Sequence, residues 1–75
     1  MPESTRGPAG QFAANVERLR EKRKMTQEQL GWAAGIHQTA VARIESGRRR
    51  PTLTTIFKLA AGLEVPPAKL FENIS

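Results

Sequence analysis

Two short helical patterns separated by a glycine occupy the stretch TQEQLGWAAGIHQTAVARIESG, which runs from Thr26 to Gly47. The first residue is followed three positions later by Gln29, and this T-x-x-Q capping-box spacing predicts a helix that begins at Gln27. Gly35 suits the left-handed position that ends such a helix. A second helical pattern then spans Gln38 to Glu45. Two short helices joined by a glycine-containing turn of about three residues form a helix-turn-helix.

Helical spacing of apolar residues continues on both sides of this motif. Apolar residues recur at intervals of four and three from Gln11 to near Lys24, which predicts a first helix. The stripe from Leu53 to Leu63 predicts a fourth helix that faces the core. Pro67 is placed to start a short fifth helix, because a first helical position tolerates a missing N–H. The sequence therefore predicts an all-α fold, a compact five-helix domain over residues 11–75, preceded by a flexible arm at residues 1–10.

The composition favours a nucleic-acid partner and leaves little room for an enclosed active site. Twelve Lys and Arg against seven Asp and Glu give a formal net charge of +5 in 75 residues, with a sequence pI of about 10.8. Basic composition also serves solubility alone, so charge does not decide the function. The chain has no cysteine, hence no disulfide framework or thiolate metal site. Its apolar stretches are too short to span a bilayer, so we expect a cytoplasmic protein without metal or cofactor.

Three motifs, weak one by one, are strong together because they occur in order and at fixed spacing. They are T-Q-x-x-L from Thr26 to Leu30, R-I-E-x-G from Arg43 to Gly47, and R-P-T-L-x-x-I-x-x-L-A from Arg50 to Ala60. With them, the sequence from about residue 15 to residue 71 resembles the lambda-repressor/Cro, or xenobiotic-response-element, family of helix-turn-helix proteins. The resemblance implies a bacterial or phage-encoded regulator of transcription that binds double-stranded DNA.

The resemblance also assigns roles to individual residues. In that family the second helix of the motif lies in the major groove, and its N-terminal side chains contact base edges. The implied base contacts are Gln38, Thr39, Ala42 and Arg43. The implied contacts with the DNA backbone are Gln27, Ser46, Arg48, Arg49 and Arg50. Arg20 and Glu45 correspond to a structural ion pair.

A homodimer on an inverted-repeat operator is a further expectation. One recognition helix reads too few base pairs to single out a genomic site, and relatives pair two domains across a two-fold axis. The C-terminal end remains for that role, so we expect the dimer interface at Val65, Phe71 and Ile74, with Leu63 and Phe57 beside them. Packing in the core is the competing interpretation for Phe71.

Three positions depart from the family pattern. His37 stands at a helix start where Ser or Thr is commoner, so it caps poorly, contacts DNA, makes binding depend on pH below about 7, or is an ordinary exposed histidine, which we favour. Gly31 replaces a usual Ala, at a cost of about 1 kcal/mol in helix propensity unless close packing requires it. Trp32 either packs against the first helix or marks a partner surface.

Other functions compete with a DNA-binding regulator. An enzyme is disfavoured by one His, no Cys, no Asp and no phosphate-binding loop or metal-ligand spacing. An antitoxin or other protein-partner module would use the same fold and need an extra segment for its partner. A membrane-surface binder would place positive charge along one helical face, opposite a broad apolar one. Within the leading class, a restriction-modification controller protein and a Cro-like repressor both stay open, and no small-molecule ligand is expected.

Overall fold

The computed structural model describes residues 8–74, which form four α-helices and one short 3₁₀ helix. The helices are α1 (Pro8–Lys22), α2 (Gln27–Ala34), α3 (Gln38–Glu45) and α4 (Leu53–Leu63), followed by the 3₁₀ helix Pro67–Phe71. No strand occurs within these residues. The predicted all-α class is confirmed.

The predicted count of five α-helices is wrong, because the last segment is a single 3₁₀ helix of five residues. The N–H of Lys69 donates to the carbonyl of Pro66 at 2.9 Å, an i to i+3 bond. Pro66 and Pro67 contribute no N–H, and a positive φ of 65° at Asn73 stops the chain from continuing the turn. A segment this short has no room for a ladder of α-helical bonds.

The first helix begins and ends earlier than predicted. Its first residue is Pro8, three positions before the expected start at Gln11, and proline suits a first helical position. Of the predicted arm, residues 8–10 form the first turn of this helix, and residues 1–7 lie outside the described residues. The helix stops at Lys22, and Lys24 adopts a left-handed φ of 59°.

The predicted ends of α2 are confirmed in atomic detail. The N–H of Gln29 donates to the hydroxyl of Thr26 at 3.0 Å, and the N–H of Thr26 donates to Oε1 of Gln29 at 2.8 Å. This reciprocal pair is the capping box that the T-x-x-Q spacing predicts. Gly35 has a φ of 74°, which places it in the left-handed conformation that ends the helix.

Two glycines let the backbones around α2 approach closely. A Cβ added at Gly31 would lie 2.8 Å from the carbonyl oxygen of Ile36 and 3.2 Å from the N of Gln38. A Cβ added at Gly62 would lie 2.9 Å from the N of Ala34. Close packing therefore explains why a residue of low helix propensity occupies position 31. This contact sets how the first turn of α3 packs against α2.

One face of every helix contributes to a single core. Its fully or almost fully buried members are Phe12, Val16, Leu19, Leu30, Ala34, Val41, Ile44, Leu59, Ala60, Leu63 and Leu70. The start of the apolar stripe on α4 is an exception, since Leu53 is 68% exposed. This residue occupies the first turn of α4, ahead of the part of the helix that packs on the core.

A buried asparagine ties the C-terminal segment to α1. Asn15 is 1% exposed, and its side-chain amide donates to the carbonyls of Leu70 at 2.9 Å and Glu72 at 2.8 Å. Its Oδ1 accepts a bond from Nε2 of Gln11 at 3.0 Å. Because every polar atom of this side chain is paired, the C-terminal segment is held on α1 without a buried polar group left unsatisfied.

Candidate nucleic-acid interface

The outer face of α3 carries the side chains predicted to contact bases. Val41 and Ile44 anchor the inner face, with 0% and 1% of their surface exposed. Three predicted contact residues, Gln38, Thr39 and Arg43, are exposed, and Ala42 is half-buried between the two faces. Val41 and Ile44 are the fourth and seventh residues of α3, and the exposed residues are the first, second and sixth. These exposed positions lie on the side of the helix opposite the buried ones, so α3 presents their side chains on one face.

His37 caps the N-terminus of α3, so the expectation of a poor cap at this position is wrong. The N–H of Thr39 donates to Nδ1 of His37 at 3.0 Å, and His37 has the extended backbone of a cap residue, with φ −73° and ψ 148°. An imidazole nitrogen therefore takes the place of the usual hydroxyl or carboxylate oxygen. Residue identity alone does not reveal this role, because His is uncommon at helix caps.

The arginine loop, which we define as Arg48 to Arg50, leaves α3 through a tight closure. Gly47 has a φ of 78°, and the N–H groups of Arg48 and Arg49 both donate to the carbonyl of Arg43, at 3.0 and 3.2 Å. All three side chains are exposed. Among the described residues, none of them forms an ion pair. Three cationic side chains are thus presented beside the end of α3.

Ser46, another predicted backbone contact, already has a bond within the chain. Its hydroxyl donates to the carbonyl of Arg43 at 3.0 Å. The side chain is exposed, and its oxygen keeps lone pairs but no free proton. As a donor to phosphate it would first have to break this local bond.

The structure joins Arg20 and Glu45 in a bidentate ion pair. Nε of Arg20 lies 2.7 Å from Oε2 of Glu45, and Nη2 lies 3.1 Å from Oε1. The two side chains are 11% and 3% exposed. The hydrogen bond to Glu45 raises the pKa of the Arg20 guanidinium above its ordinary value, although burial opposes the shift. Nη1 of Arg20 also donates to the carbonyl of Met25, so the pair links the end of α1 to the end of α3 and to the chain entering α2.

Gln27 adds a third partner that the sequence did not indicate. Its Nε2 donates to Oε1 of Glu45 at 3.0 Å. The predicted phosphate-contacting side chain is therefore half-buried and fixed to the end of α3. Together Arg20, Gln27 and Glu45 hold the first residue of α2 and the last residue of α3 in one orientation.

Three other basic side chains, on α1, just after it and in the C-terminal segment, face acidic partners. Arg18 and Lys69 both lie near Glu72, at 3.4 and 3.1 Å, and Arg23 lies 3.3 Å from Glu64. The hydrogen bond from Lys69 lowers the pKa of the exposed Glu72 carboxyl. Among the described residues, Lys22, Lys24 and Lys58 also lack an ion pair, and Arg43 with the arginine loop forms the group of four unpaired cations at the end of α3.

The predicted dimer residues are only partly available at the surface. Val65 and Ile74 pack against the core, because Asn15 draws the C-terminal segment onto α1. Phe71 is 45% exposed, and its ring lies 5.3 Å from that of Phe12 at an angle of 46°. Apolar side chains with a larger exposed fraction lie elsewhere, with Trp32 at 72%, Leu53 at 68% and Phe57 at 54%.

The part of the chain that the structure describes has neither a membrane-spanning helix nor a metal-binding cluster. No helix is both long enough and apolar enough to cross a membrane. No group of three or more His, Cys, Asp or Glu side chains among residues 8–74 is arranged to hold a metal ion.

Comparison with known proteins identifies the family. A helix-turn-helix family model, HTH_3, matches residues 16–70. The HTH-type transcriptional regulator y4dJ of Sinorhizobium fredii is 37% identical over 57 residues, which cover 76% of this chain and 74% of y4dJ. The HTH-type transcriptional repressor RghR of Bacillus subtilis is 41% identical over 56 residues, but these cover 73% of this chain and only 42% of RghR.

Among solved structures, the restriction-modification controller protein C.AhdI from Aeromonas hydrophila has a similar fold. It matches with a TM-score of 0.80 and 33% identity, over 81% of this chain and 92% of C.AhdI. The resemblance to the lambda-repressor/Cro type is thus confirmed by sequence and by structure. The chain belongs to the HTH_3 family of helix-turn-helix proteins, a family of DNA-binding transcriptional regulators and not of enzymes.

Proposed function

We propose that this protein regulates transcription in the bacterial cytoplasm by binding an inverted-repeat operator as a homodimer, with no catalytic step and no cofactor. The observation that carries the proposal is the outer face of α3, which presents Gln38, Thr39 and Arg43 beside the three exposed cations of the arginine loop. The buried pair between Arg20 and Glu45 fixes the orientation of that helix. Such a pair contributes more to orientation than to stability, because desolvating two charges offsets most of their attraction.

The exposed side chains of α3 suit the base edges of the major groove. The amide of Gln38 can donate to and accept from an adenine, and the guanidinium of Arg43 matches the two acceptors of a guanine. The methyl groups of Thr39 and Ala42 can contact the methyl group of a thymine. These four residues are our proposed determinants of sequence preference.

A second set of residues is proposed to contact phosphates. Arg48, Arg49 and Arg50 are exposed cations beside α3, Ser46 caps the end of α3, and Gln27 is the first residue of α2. Phosphate contacts position a protein on the duplex without reading its sequence. Gln27 acts here mainly through its place at the start of α2, because its amide is engaged by Glu45.

The dimer is proposed to form through the exposed apolar face of α4, which we define as Leu53 and Phe57. These side chains lie one helical turn apart on α4 and are 68% and 54% exposed. The helix starts directly after the arginine loop, so a two-fold axis at this face keeps both copies of α3 on one side of the duplex. Of the three dimer residues predicted from the sequence, Val65 and Ile74 pack against the core. Phe71 is the one with a side chain exposed enough to contact a second copy.

The biological class is proposed from the relatives. The match with the controller protein C.AhdI over 92% of its length supports a stand-alone controller protein of this kind, and the match with RghR supports a repressor. A second candidate is an antitoxin-like module with a protein partner, and the 72% exposure of Trp32 is the observation in its favour.

Selection of bound sites from a random duplex pool tests this function. We expect an inverted repeat whose half-sites are centred about 10 base pairs apart. Affinity for the selected site should fall linearly on logarithmic axes as salt increases, since phosphate contacts release counterions. No enrichment, or an affinity that salt does not change, would contradict the proposal. Enrichment of a site without two-fold symmetry would contradict the dimer alone.

A further inference from the structure

The recognition helix is held at its start by the only histidine of the chain. Nδ1 of His37 accepts the N–H of Thr39 at 3.0 Å. A nitrogen that accepts a hydrogen bond has a free lone pair, so the geometry assigns the neutral tautomer with its proton on Nε2. This bond is the only one that the His37 side chain forms among the described residues.

This type of cap distinguishes α3 from its neighbours. α2 and α4 are capped by the hydroxyls of Thr26 and Thr52, which accept bonds from Gln29 and Thr55. A hydroxyl keeps its acceptor lone pairs at every accessible pH. An imidazole changes charge between about pH 5 and 8. Of these three helices, the one that carries the proposed base contacts is the one with a titratable cap.

Protonation of this imidazole has two effects on α3, and both act in the same direction. A proton on Nδ1 occupies the lone pair that accepts the Thr39 N–H, so the cap is lost. The positive charge that results lies at the positive end of the helix dipole, which disfavours it. The first turn of α3 contains Gln38 and Thr39, two of the four proposed base contacts. Loosening this turn moves the side chains that must match base edges.

We propose that His37 is a positioning residue that couples DNA recognition to pH: neutral His37 holds the first turn of α3, and protonated His37 releases it. The inference rests on the proposed function as a DNA-binding regulator. Affinity for the operator is therefore highest above neutral pH and decreases as the imidazole takes up a proton.

The surroundings of His37 offer no fixed counter-charge to its imidazolium. The elements packed against it are α2, whose one charged residue is Glu28, and α3, which carries Arg43 and Glu45. Glu45 is committed to Arg20 at 2.7 Å. Within the described residues, neither Glu28 nor Arg43 forms a hydrogen bond or ion pair with His37. The DNA phosphates are the remaining charges that act on it, and they oppose the effect by attracting the imidazolium.

The test compares wild type, His37→Asn and His37→Ala in their affinity for the selected duplex, from about pH 8 to about pH 5.5 at constant salt. Asn caps a helix and does not titrate, whereas Ala provides no cap at any pH. We expect wild type to lose about threefold to tenfold in affinity, a size within the range of helix-cap contributions. His37→Asn should hold its affinity over the same range, and His37→Ala should stay near the low-pH value of wild type.

The possible outcomes separate this inference from the function on which it rests. If wild type and His37→Asn follow the same pH profile, the positioning role is wrong. If wild type binds more tightly at low pH, the role is also wrong and the phosphate attraction dominates. If no variant binds any selected duplex, the proposed function itself is wrong. ¹⁵N spectra of the imidazole give a reading that does not need DNA. We expect an unprotonated Nδ1 at about pH 8 and a Thr39 amide signal that moves with the ring titration, and a proton on Nδ1 at that pH would overturn the proposal.

Discussion

Partners within the chain distinguish the buried Arg20 from the exposed arginines that we propose face DNA. Arg20 uses all three guanidinium nitrogens, on Glu45 and on the carbonyl of Met25, and is 11% exposed as a side chain. Arg43 and Arg49 are equally cationic but exposed, and no ion pair engages them among the described residues. The same residue type thus fixes the orientation of α3 at one position and is proposed to contact DNA at the others.

Arg43 and Arg49 should differ in what they contribute to binding. Arg43→Ala should cost about 1–3 kcal/mol at the selected site and relax preference at one base pair, because a bidentate base contact is lost. Arg49→Ala should weaken the selected site and random DNA alike, because a phosphate contact carries no sequence information. Competition binding against a panel of single-base variants checks both. An unchanged ranking of sites in Arg43→Ala would contradict its place on the groove face.

The buried ion pair predicts a large stability effect at Glu45. Glu45→Ala leaves the guanidinium of Arg20 buried without its partner and should destabilise the fold by about 3–5 kcal/mol. Glu21→Ala is the matched control, since Glu21 lies 3.9 Å from the same guanidinium but is 64% exposed. Its loss should cost at most about 1 kcal/mol. Denaturant unfolding of both variants measures the difference, and equal losses would show that the pair contributes no more than a surface contact.

The pH dependence of this pair follows from the raised pKa of Arg20. A raised pKa in the folded state adds stability that is fully present below the ordinary pKa of a guanidinium. This stability is lost only as the pH rises through the still higher folded value. The contribution of Arg20 should therefore stay constant over the whole physiological range.

At the scale of the elements, the position of α3 depends on its packing against Gly31. Gly31→Ala should raise helix propensity by about 1 kcal/mol, but its Cβ would lie 2.8 Å from the backbone carbonyl of Ile36. Backbone cannot move as a side-chain tip can, so we expect a net destabilisation of about 1–2 kcal/mol and a larger loss of DNA affinity as α3 shifts. Thermal unfolding and duplex titration measure the two effects.

An exposed helical position provides the control for Gly31. Ala14 lies on the exposed side of α1, so Ala14→Gly changes helix propensity with no packing change and should cost about 1 kcal/mol without altering the specificity of DNA binding. A more stable Gly31→Ala with unchanged DNA binding would show that α2 and α3 can separate freely at this position.

The elements could be predicted from local sequence because their signals are local. The capping box at Thr26, the glycine at position 35 and the apolar spacing of the helices involve residues at most four positions apart. Contacts between distant residues give no such local signal. Asn15 donates hydrogen bonds to carbonyls more than 50 positions away, which holds the segment containing Ile74 on the core. Gln27 donates a hydrogen bond to Glu45 at the other end of the motif. The position of His37 at the start of α3 could be predicted, but its bond to the Thr39 N–H could not, because that bond depends on the orientation of the ring.

At the scale of the whole molecule, charge and surface area both limit dimerisation in solution. Each copy carries a formal charge of +5, so two copies repel each other. Leu53 and Phe57 together offer on the order of 200–300 Å² of exposed apolar surface, if a buried aromatic contributes about 150–250 Å² in full. A standard interface buries about 800 Å² per partner. We therefore expect a weak free dimer that becomes stable on DNA, where phosphates neutralise the repulsion.

These opposing charge effects give salt two opposite roles. Free dimerisation should strengthen as salt increases, because screening reduces the repulsion between the two copies. DNA affinity should weaken over the same range, because counterions released into a more concentrated salt solution gain less entropy. Sedimentation without DNA and duplex titration, carried out in matched buffers, measure the two trends. If both trends had the same sign, repulsion between the copies would not control assembly.

Variants on the exposed face of α4 test where the two copies meet. Leu53→Glu and Phe57→Glu each place a charge at the proposed interface, and both side chains are more than half exposed, so the fold should persist. We expect them to stay monomeric where wild type associates and to bind a single half-site normally, but to lose about 100-fold or more on the full inverted repeat, since the second copy no longer gains from the first. Trp32→Ser is the matched control, because Trp32 is 72% exposed on α2 and should not alter association.

Phe71→Ser tests the C-terminal alternative. Loss of association in that variant, with normal dimers in Leu53→Glu and Phe57→Glu, would move the two-fold axis from α4 to the C-terminal segment.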